Sequence, residues 1–473
     1  MEKIMKSTTK QTTTSSLAQP GKQRSYNEVI EFLDNNWSTN ANDTSLSCIK
    51  QLDQAFENPS QKLKTILVAG TNGKSLTIHF TVKLLRQEGL SVGAFYAPHI
   101  LTYNERFSLN DEAISNKTFT ELANEVINTA QSMRLTPNSF DILTIMALLF
   151  FKQSNVDVAL IEVSEGGKLN AANICNSKIA AITRVTPDDA ASMDAAIQEV
   201  LGIVKKGTIV ISGDQSKLNL QTMLDITEEK GGIWAMPIRK LAPLQYPYEQ
   251  LHGRCAALAE RIAQTFVNEV LKLESTVVSS SLLSKPKGTR GRPTLEAKRQ
   301  AELNPQRTLE QFWKEQHSDL SARFQLLDKE KPSILLDNAQ NLDAFENLLL
   351  GIRLLHYQRP LKGLTIVLGC NNDTMDVSEF LKQLRYFFKK TSGQVIVCPV
   401  ENVPGHKGGA SWDVEKITND IKSMKIKARS SSNFKEAFEA ACKSVDERHG
   451  LVVVAGSPSV VTEYWRYKGM KKL

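Results

Sequence analysis

The period of apolar and polar positions changes several times along the chain. After Tyr26, the residues Val29, Ile30, Phe32 and Leu33 recur at helical spacing, and the pattern stops near Asn35 and Asn36. Thr65–Ala69 is a short apolar run of strand type that leads directly into Gly70-Thr71-Asn72-Gly73-Lys74-Ser75. A helix is expected over 76–87, stopped by Gly89. Strand, glycine-rich loop and helix in this order make half of a βαβ unit. The alternation continues with strands expected at 91–95, 156–163, 179–184 and 207–212, and helices at 118–132 and Ser139–Gln153. Apolar runs without a polar face, separated by helices, predict a parallel sheet covered on both sides.

Between 277 and 307 the character changes. A serine cluster is followed by Lys285, Pro286 and Lys287, then by Arg290-Gly291-Arg292-Pro293 and a charged stretch. Such composition predicts a solvated, flexible connection. The short basic core resembles a hook that reads the DNA minor groove, but one such match does not outweigh the linker reading. After Arg323 the alternation resumes, with strands expected at 334–336, Leu364–Leu368, 395–398, 425–428 and Leu451–Ala455. Helices are expected at 342–356 and 434–445. The fold class is therefore α/β in two domains: an N-terminal P-loop-type sheet wrapped by helices and a smaller, Rossmann-like C-terminal α/β domain. The expected divisions are a disordered tail over 1–24, an N-terminal domain over 25–276, a linker over 277–320 and a C-terminal domain over 321–473.

Composition narrows the function classes. A chain of 473 residues with 41% apolar and 23% charged positions is long enough for two buried cores. No run of about 18 uninterrupted apolar residues occurs, so no membrane partner is expected. The balance of 58 basic and 51 acidic side chains suits anionic substrates and does not by itself call for nucleic acid. Six cysteines are scattered singly without metal-ligand spacing, as for reduced thiols in a cytoplasmic protein. The first 24 residues lack the apolar core of a secretory signal. A monomer is expected.

The loop at 70–75 carries the sharpest chemistry. Glycines let backbone N–H groups approach phosphate oxygens, and the start of the following helix adds partial positive charge. Lys74 can neutralise β- and γ-phosphates, and the Ser75 hydroxyl can ligand Mg²⁺. The spacing is shorter than the common G-x-x-x-x-G-K-[ST] loop.

This loop resembles that of the Mur ligase superfamily, and three further stretches, in the same order, are similar to its folylpolyglutamate/dihydrofolate synthase branch. Ala97-Pro98-His99, followed by Glu105-Arg106, Asn110 and Ile114, resembles the family's substrate-side loop. Glu162-Val163, then Gly166-Gly167-Lys168-Leu169-Asn170-Ala171 and Asn173, resembles its Glu-Val-Gly-x-Gly-Gly-Arg-Leu-Asp-Ala-Thr-Asn stretch. Leu336-Asp337-Asn338-Ala339-Gln340-Asn341 resembles the Leu-Asp-Gly-Ala-His-Asn that opens the C-terminal domain, and Gly456-Ser457 also fits. The resemblance implies an ATP- and Mg²⁺-dependent ligase: ATP phosphorylates a folate carboxylate, and the amine of glutamate attacks the acyl phosphate to form an amide. It assigns catalysis to Lys74, Glu162, Asp189 and His99. Nucleotide binding falls to Gly70, Thr71, Asn72, Gly73, Lys74, Ser75, Arg254, Asp337 and Gln340, and metal binding to Ser75, Glu162 and Asp189.

Departures fall on functional positions. Ala97 stands where the family has a metal-assisting serine, and Asp189 where it has a metal-binding histidine. Val200 occupies the place of a lysine that the family carbamylates, and Lys205 is five residues away. Gln340 replaces a histidine, which removes a group able to carry positive charge. Two alternatives to the folate ligase stay open: a catalytically degenerate nucleotide-binding homologue, and an amide ligase with a non-folate substrate.

Overall fold

The computed structural model describes residues 21–37, 46–187, 192–238, 240–273, 309–316, 320–371, 376–406 and 409–473. The first sheet comprises β1 (Thr65–Ala69), β2 (Val92–Phe95), β3 (Phe107–Leu109), β4 (Glu112–Ala113), β5 (Val158–Glu162), β6 (Ile179–Ile182), β7 (Ile209–Ser212) and β8 (Ile233–Trp234). Its order is β4-β3-β2-β5-β1-β6-β7-β8. All neighbours are parallel except at the β2–β3 and β3–β4 pairs.

Side-chain alternation explains why β1 lies centrally. Leu67 and Ala69 join an apolar cluster on one face with Phe95 and Ile161, while Ile66 and Val68 join a separate cluster on the other with Ile78 and Ile262. Both faces are covered by helices, so every residue of β1 is buried. The helix Lys74–Gln87 packs lengthwise on the helix Tyr248–Thr265 beneath the second face.

The second sheet comprises β9 (Gln325–Leu327), β10 (Ser333–Asp337), β11 (Leu364–Leu368), β12 (Gln394–Val397), β13 (Lys427–Ser430) and β14 (Leu451–Ala455), ordered β13-β12-β11-β14-β10-β9. Only β9 is antiparallel to its neighbour. The alternation recurs here: Leu335 faces one apolar cluster, and Ile334 and Leu336 face the other.

The expected strands are present with ends moved by a few residues, and the shift is largest for 425–428, observed as Lys427–Ser430. The short strands β3, β4, β8 and β9 were not expected. The 277–320 connection is not uniformly linker: Leu309–Glu315 is a helix whose Trp313 buries edge-on against Phe80 at 5.5 Å between ring centroids. Near the other end, the backbone of Arg24 exchanges hydrogen bonds of 2.8 and 2.9 Å with the Asn124 side chain, so the last residues of the expected tail are docked. Residues 1–20 and the basic hook at 290–293 lie outside the described residues.

Candidate active site

At the carboxyl end of β1 the chain must turn sharply into a helix. Gly70 (φ +129°) and Gly73 (φ +90°) adopt backbone conformations that side-chain-bearing residues rarely reach. Space is restricted as well: a Cβ on Gly70 would run into Thr183 Oγ1, and one on Gly73 would lie 2.9 Å from Cys255 Sγ. The Thr71 N–H donates to Arg184 O at 2.8 Å, tying the loop to the segment after β6. Lys74 curls back, its Nζ donating to Gly70 O (2.8 Å) and Thr71 O (3.1 Å). No side chain caps the helix that begins at Lys74, and it is at such a helix start that an anion is favoured.

Parallel pairing of β1 with β5 sets Val68 opposite Glu162 and brings the end of β5 beside the loop. Ser75 Oγ lies 2.9 and 3.1 Å from the two Glu162 carboxylate oxygens, and the Ala97 N–H donates to one of them at 3.2 Å. From the second sheet's side, Arg323 Nη2 donates to Ser75 Oγ at 3.2 Å. Burial raises the Glu162 pKa, while the charges of Lys74 and Arg323 and the Ala97 and Ser75 hydrogen bonds oppose it. A desolvated carboxylate flanked by two cations and a hydroxyl is a charge cluster, not a strand-end acid in solvent.

Asp337 ends β10 and accepts backbone hydrogen bonds of 2.8 Å from both Phe324 and Ala339. Burial nevertheless pushes its pKa up to about 6, against those bonds and Arg323. The loop and this strand end face one another across a cleft of about 2030 Å³, also lined by Trp37, Phe140, Val200, Arg254, Gln340 and Asp343. Arg254 sits on the helix Tyr248–Thr265 and donates to Ile238 O at 3.3 Å. Val200 follows Glu199, whose Oε1 accepts from the Gly167 and Lys168 N–H groups at 3.2 Å each. The glycine pair is therefore folded against the segment that carries the valine.

His99, expected to be catalytic, is buried where the two sheets meet. Its ring is absent from the cleft lining, its Nδ1 accepts from Arg106 Nε at 3.0 Å, and it packs on Tyr103 at 4.3 Å between centroids. Burial first, then the Arg106 and His406 charges, push its pKa well below the ordinary range, so the imidazole is neutral. Its carbonyl accepts from His406 Nε2 at 2.6 Å, and Arg106 Nη2 donates to Gly405 O at 2.8 Å, which places both residues in the seam between the sheets. Asp189 lies outside the described residues, and among those described no three acidic, His or Cys side chains group as a metal site.

Sequence reasoning gave no site role to Arg323, Arg184 or Asp343, and named Arg106 only as part of a motif. Arg323 was read only as the point where the strand alternation resumes. The contacts of Arg323 and Asp343 join residues 248 to 271 positions apart, beyond any local pattern.

Comparison with known proteins agrees with this geometry. Residues 320–467 match the family profile "Dihydrofolate synthetase, C-terminal domain". The chain is 29% identical over 224 residues to a dihydrofolate synthase/folylpolyglutamate synthase of Bacillus subtilis, covering 46% of this chain and 49% of that protein. It is 30% identical over 170 residues to the Escherichia coli enzyme of the same name, covering 35% and 39%. The chain thus spans about half or less of the curated relatives it matches. In three dimensions it superposes on Mycobacterium tuberculosis folylpolyglutamate synthase complexed with ADP at a TM-score of 0.73 and 20% identity, over 95% of this chain and 99% of that one. The Yersinia pestis bifunctional enzyme complexed with AMPPNP and Mn ion gives 0.69 and 22%, over 93% and 98%. Loop, paired sheets and sequence likeness point the same way: residues 320–467 match the dihydrofolate synthetase C-terminal domain, and the chain is similar in sequence and in fold to folylpolyglutamate synthase/dihydrofolate synthases.

Proposed function

We propose that this protein is an ATP-dependent ligase that adds glutamate to a folate through an acyl phosphate. The observation that carries the reading is the convergence of Ser75, Glu162 and Arg323 beside a phosphate loop, at a cleft shared by both sheets. In this reading Lys74 exchanges its two loop carbonyls for phosphate oxygens, and Arg323 stabilises the charge of the transferring group. Trp37 and Phe140, 6.5 Å apart between centroids, offer an aromatic wall to a flat heterocycle. Arg254, Asp337 and Gln340 line the nucleotide side.

The donor set fits magnesium. Ser75 Oγ and the Glu162 carboxylate are hard oxygen ligands already within 3.1 Å of each other, and Asp189 is the proposed third. Bound there, the ion would neutralise phosphate charge. No helix among the described residues is long and apolar enough to cross a membrane. We place the protein in the cytoplasm as a monomer.

The test is ADP release by the purified chain with ATP, Mg²⁺, a reduced folate and glutamate, each left out in turn. Release that needs all of them is expected; release independent of folate and glutamate overturns the reading. One observation favours a second reading, a nucleotide-binding homologue without ligase turnover: Val200 lines the cleft where the family carries a lysine. Absent turnover that Val200→Lys alone restores would select it. Thermal stabilisation by folates argues against a non-folate substrate.

A further inference from the structure

Asp343 is the second residue of the helix Leu342–Gln358, on the second sheet's side of the cleft, yet its carboxylate is held by the first sheet's loops. One oxygen accepts from Asn72 Nδ2 at 2.8 Å, and the other pairs with Arg184 Nε at 2.5 Å. Asn341, which caps the same helix, exchanges two side-chain hydrogen bonds of 3.1 Å with Asn72. The two first-sheet partners are themselves joined, because Arg184 O accepts from the Thr71 and Asn72 N–H groups. The side chain of the phosphate loop's asparagine is thus turned wholly toward the opposite sheet.

The arrangement has an electrostatic requirement. A carboxylate beside a loop shaped for phosphate would repel the nucleotide if it were uncompensated. The Arg184 guanidinium supplies the compensation at contact distance. The residues the arrangement joins are close in sequence to the charge cluster: Lys74 and Ser75 follow Asn72, and Asp337 and Gln340 precede Asn341.

We propose that Asp343 and Arg184 are positioning residues that clasp the second sheet onto the phosphate loop, fixing the spacing across which Ser75 meets Arg323. The inference rests on the ligase reading only for its turnover readout. A clasp of this kind acts on the geometry of the reacting groups and leaves the two cores alone.

The experiment compares wild type, Asp343→Arg, Arg184→Asp and the double exchange in the full chain. It measures ADP release, fluorescent-nucleotide binding, thermal unfolding and the distance between dyes placed one on each sheet's side. Each single variant should lower kcat by roughly ten- to a hundredfold, lengthen the dye distance and leave the unfolding midpoint nearly unmoved. The double exchange should recover most of the turnover and the short distance. Single variants that lose stability and activity together, with no recovery in the exchange, would overturn the clasp, as would an unchanged dye distance. If the wild type shows no ligase turnover, the distance and nucleotide-binding arms still decide for or against the clasp.

Discussion

The Ser75 hydroxyl touches both oxygens of Glu162, at 2.9 and 3.1 Å, and so ties the helix after β1 to the end of β5. Glu162 is 1% exposed and lies within the fields of Lys74 and Arg323. Glu162→Gln keeps the shape but removes the anion between two cations. Turnover should fall by roughly 10²- to 10³-fold, the scale of losing one preorganised charge stabiliser. Burial already disfavours the ionised carboxylate, so the unliganded protein should not weaken in urea through loss of that charge. The rise in melting temperature that Mg²⁺ adds to that from ATP should vanish, and persistence of that increment would remove Glu162 from the metal site.

Gly73 combines a left-handed backbone with a thiol at its back. Gly73→Ala should cost about 1–2 kcal/mol from the backbone conformation alone. The contact with Cys255 Sγ adds to this, and Cys255→Ala in the same chain should return only that second part. Urea midpoints of the two single variants and the double variant separate the contributions. ATP-induced stabilisation should be weak in both chains that carry the alanine at 73.

Asp337 gives a pH signature with a definite sign. Its folded pKa, about 6, lies above the ordinary aspartate value of 3.8, so between these values the folded state holds a proton that the unfolded state has released. The ionised carboxylate is therefore a liability above pH 6, and stability from this group rises as pH falls from 7 toward 4. Asp337→Asn removes that slope. It also gives up one of the two backbone hydrogen bonds, since an amide offers a single oxygen to Phe324 and Ala339. Chemical unfolding at pH 7, 6 and 5 should show the wild type gaining on the variant as the pH drops; parallel curves would contradict the raised pKa.

Much of this architecture was legible because buried parallel strands leave uninterrupted apolar runs. Thr65–Ala69, Leu364–Leu368 and Leu451–Ala455 were read to the residue, and the tight turn that follows the first of them was legible from its two glycines. Strands of two or three residues at sheet edges, such as Glu112–Ala113 and Gln325–Leu327, carry no such signal. The Ser75–Glu162 pair could be guessed from the motifs alone. Arg323 could not, because its role exists only where the two sheets meet. The surroundings of His99 were hidden for the same reason: its motif was visible, but His406, which contacts it, lies some three hundred positions away.

The loop after β2 meets the second sheet through the side chains of Ile100 and Leu101 and also through main-chain carbonyls. His406 reaches His99 O, and Thr462 Oγ1 donates to Ile100 O at 2.7 Å. At its start, the Ala97 N–H reaches Glu162. Such anchors record the path of the chain and are indifferent to what the residues carry. A hydroxyl can therefore disappear from position 97 without the carboxylate of Glu162 losing that orienting bond. Position 97 can drift in composition while the cleft keeps its outline, so a substitution there informs on substrate and metal preference and not on whether the site assembles.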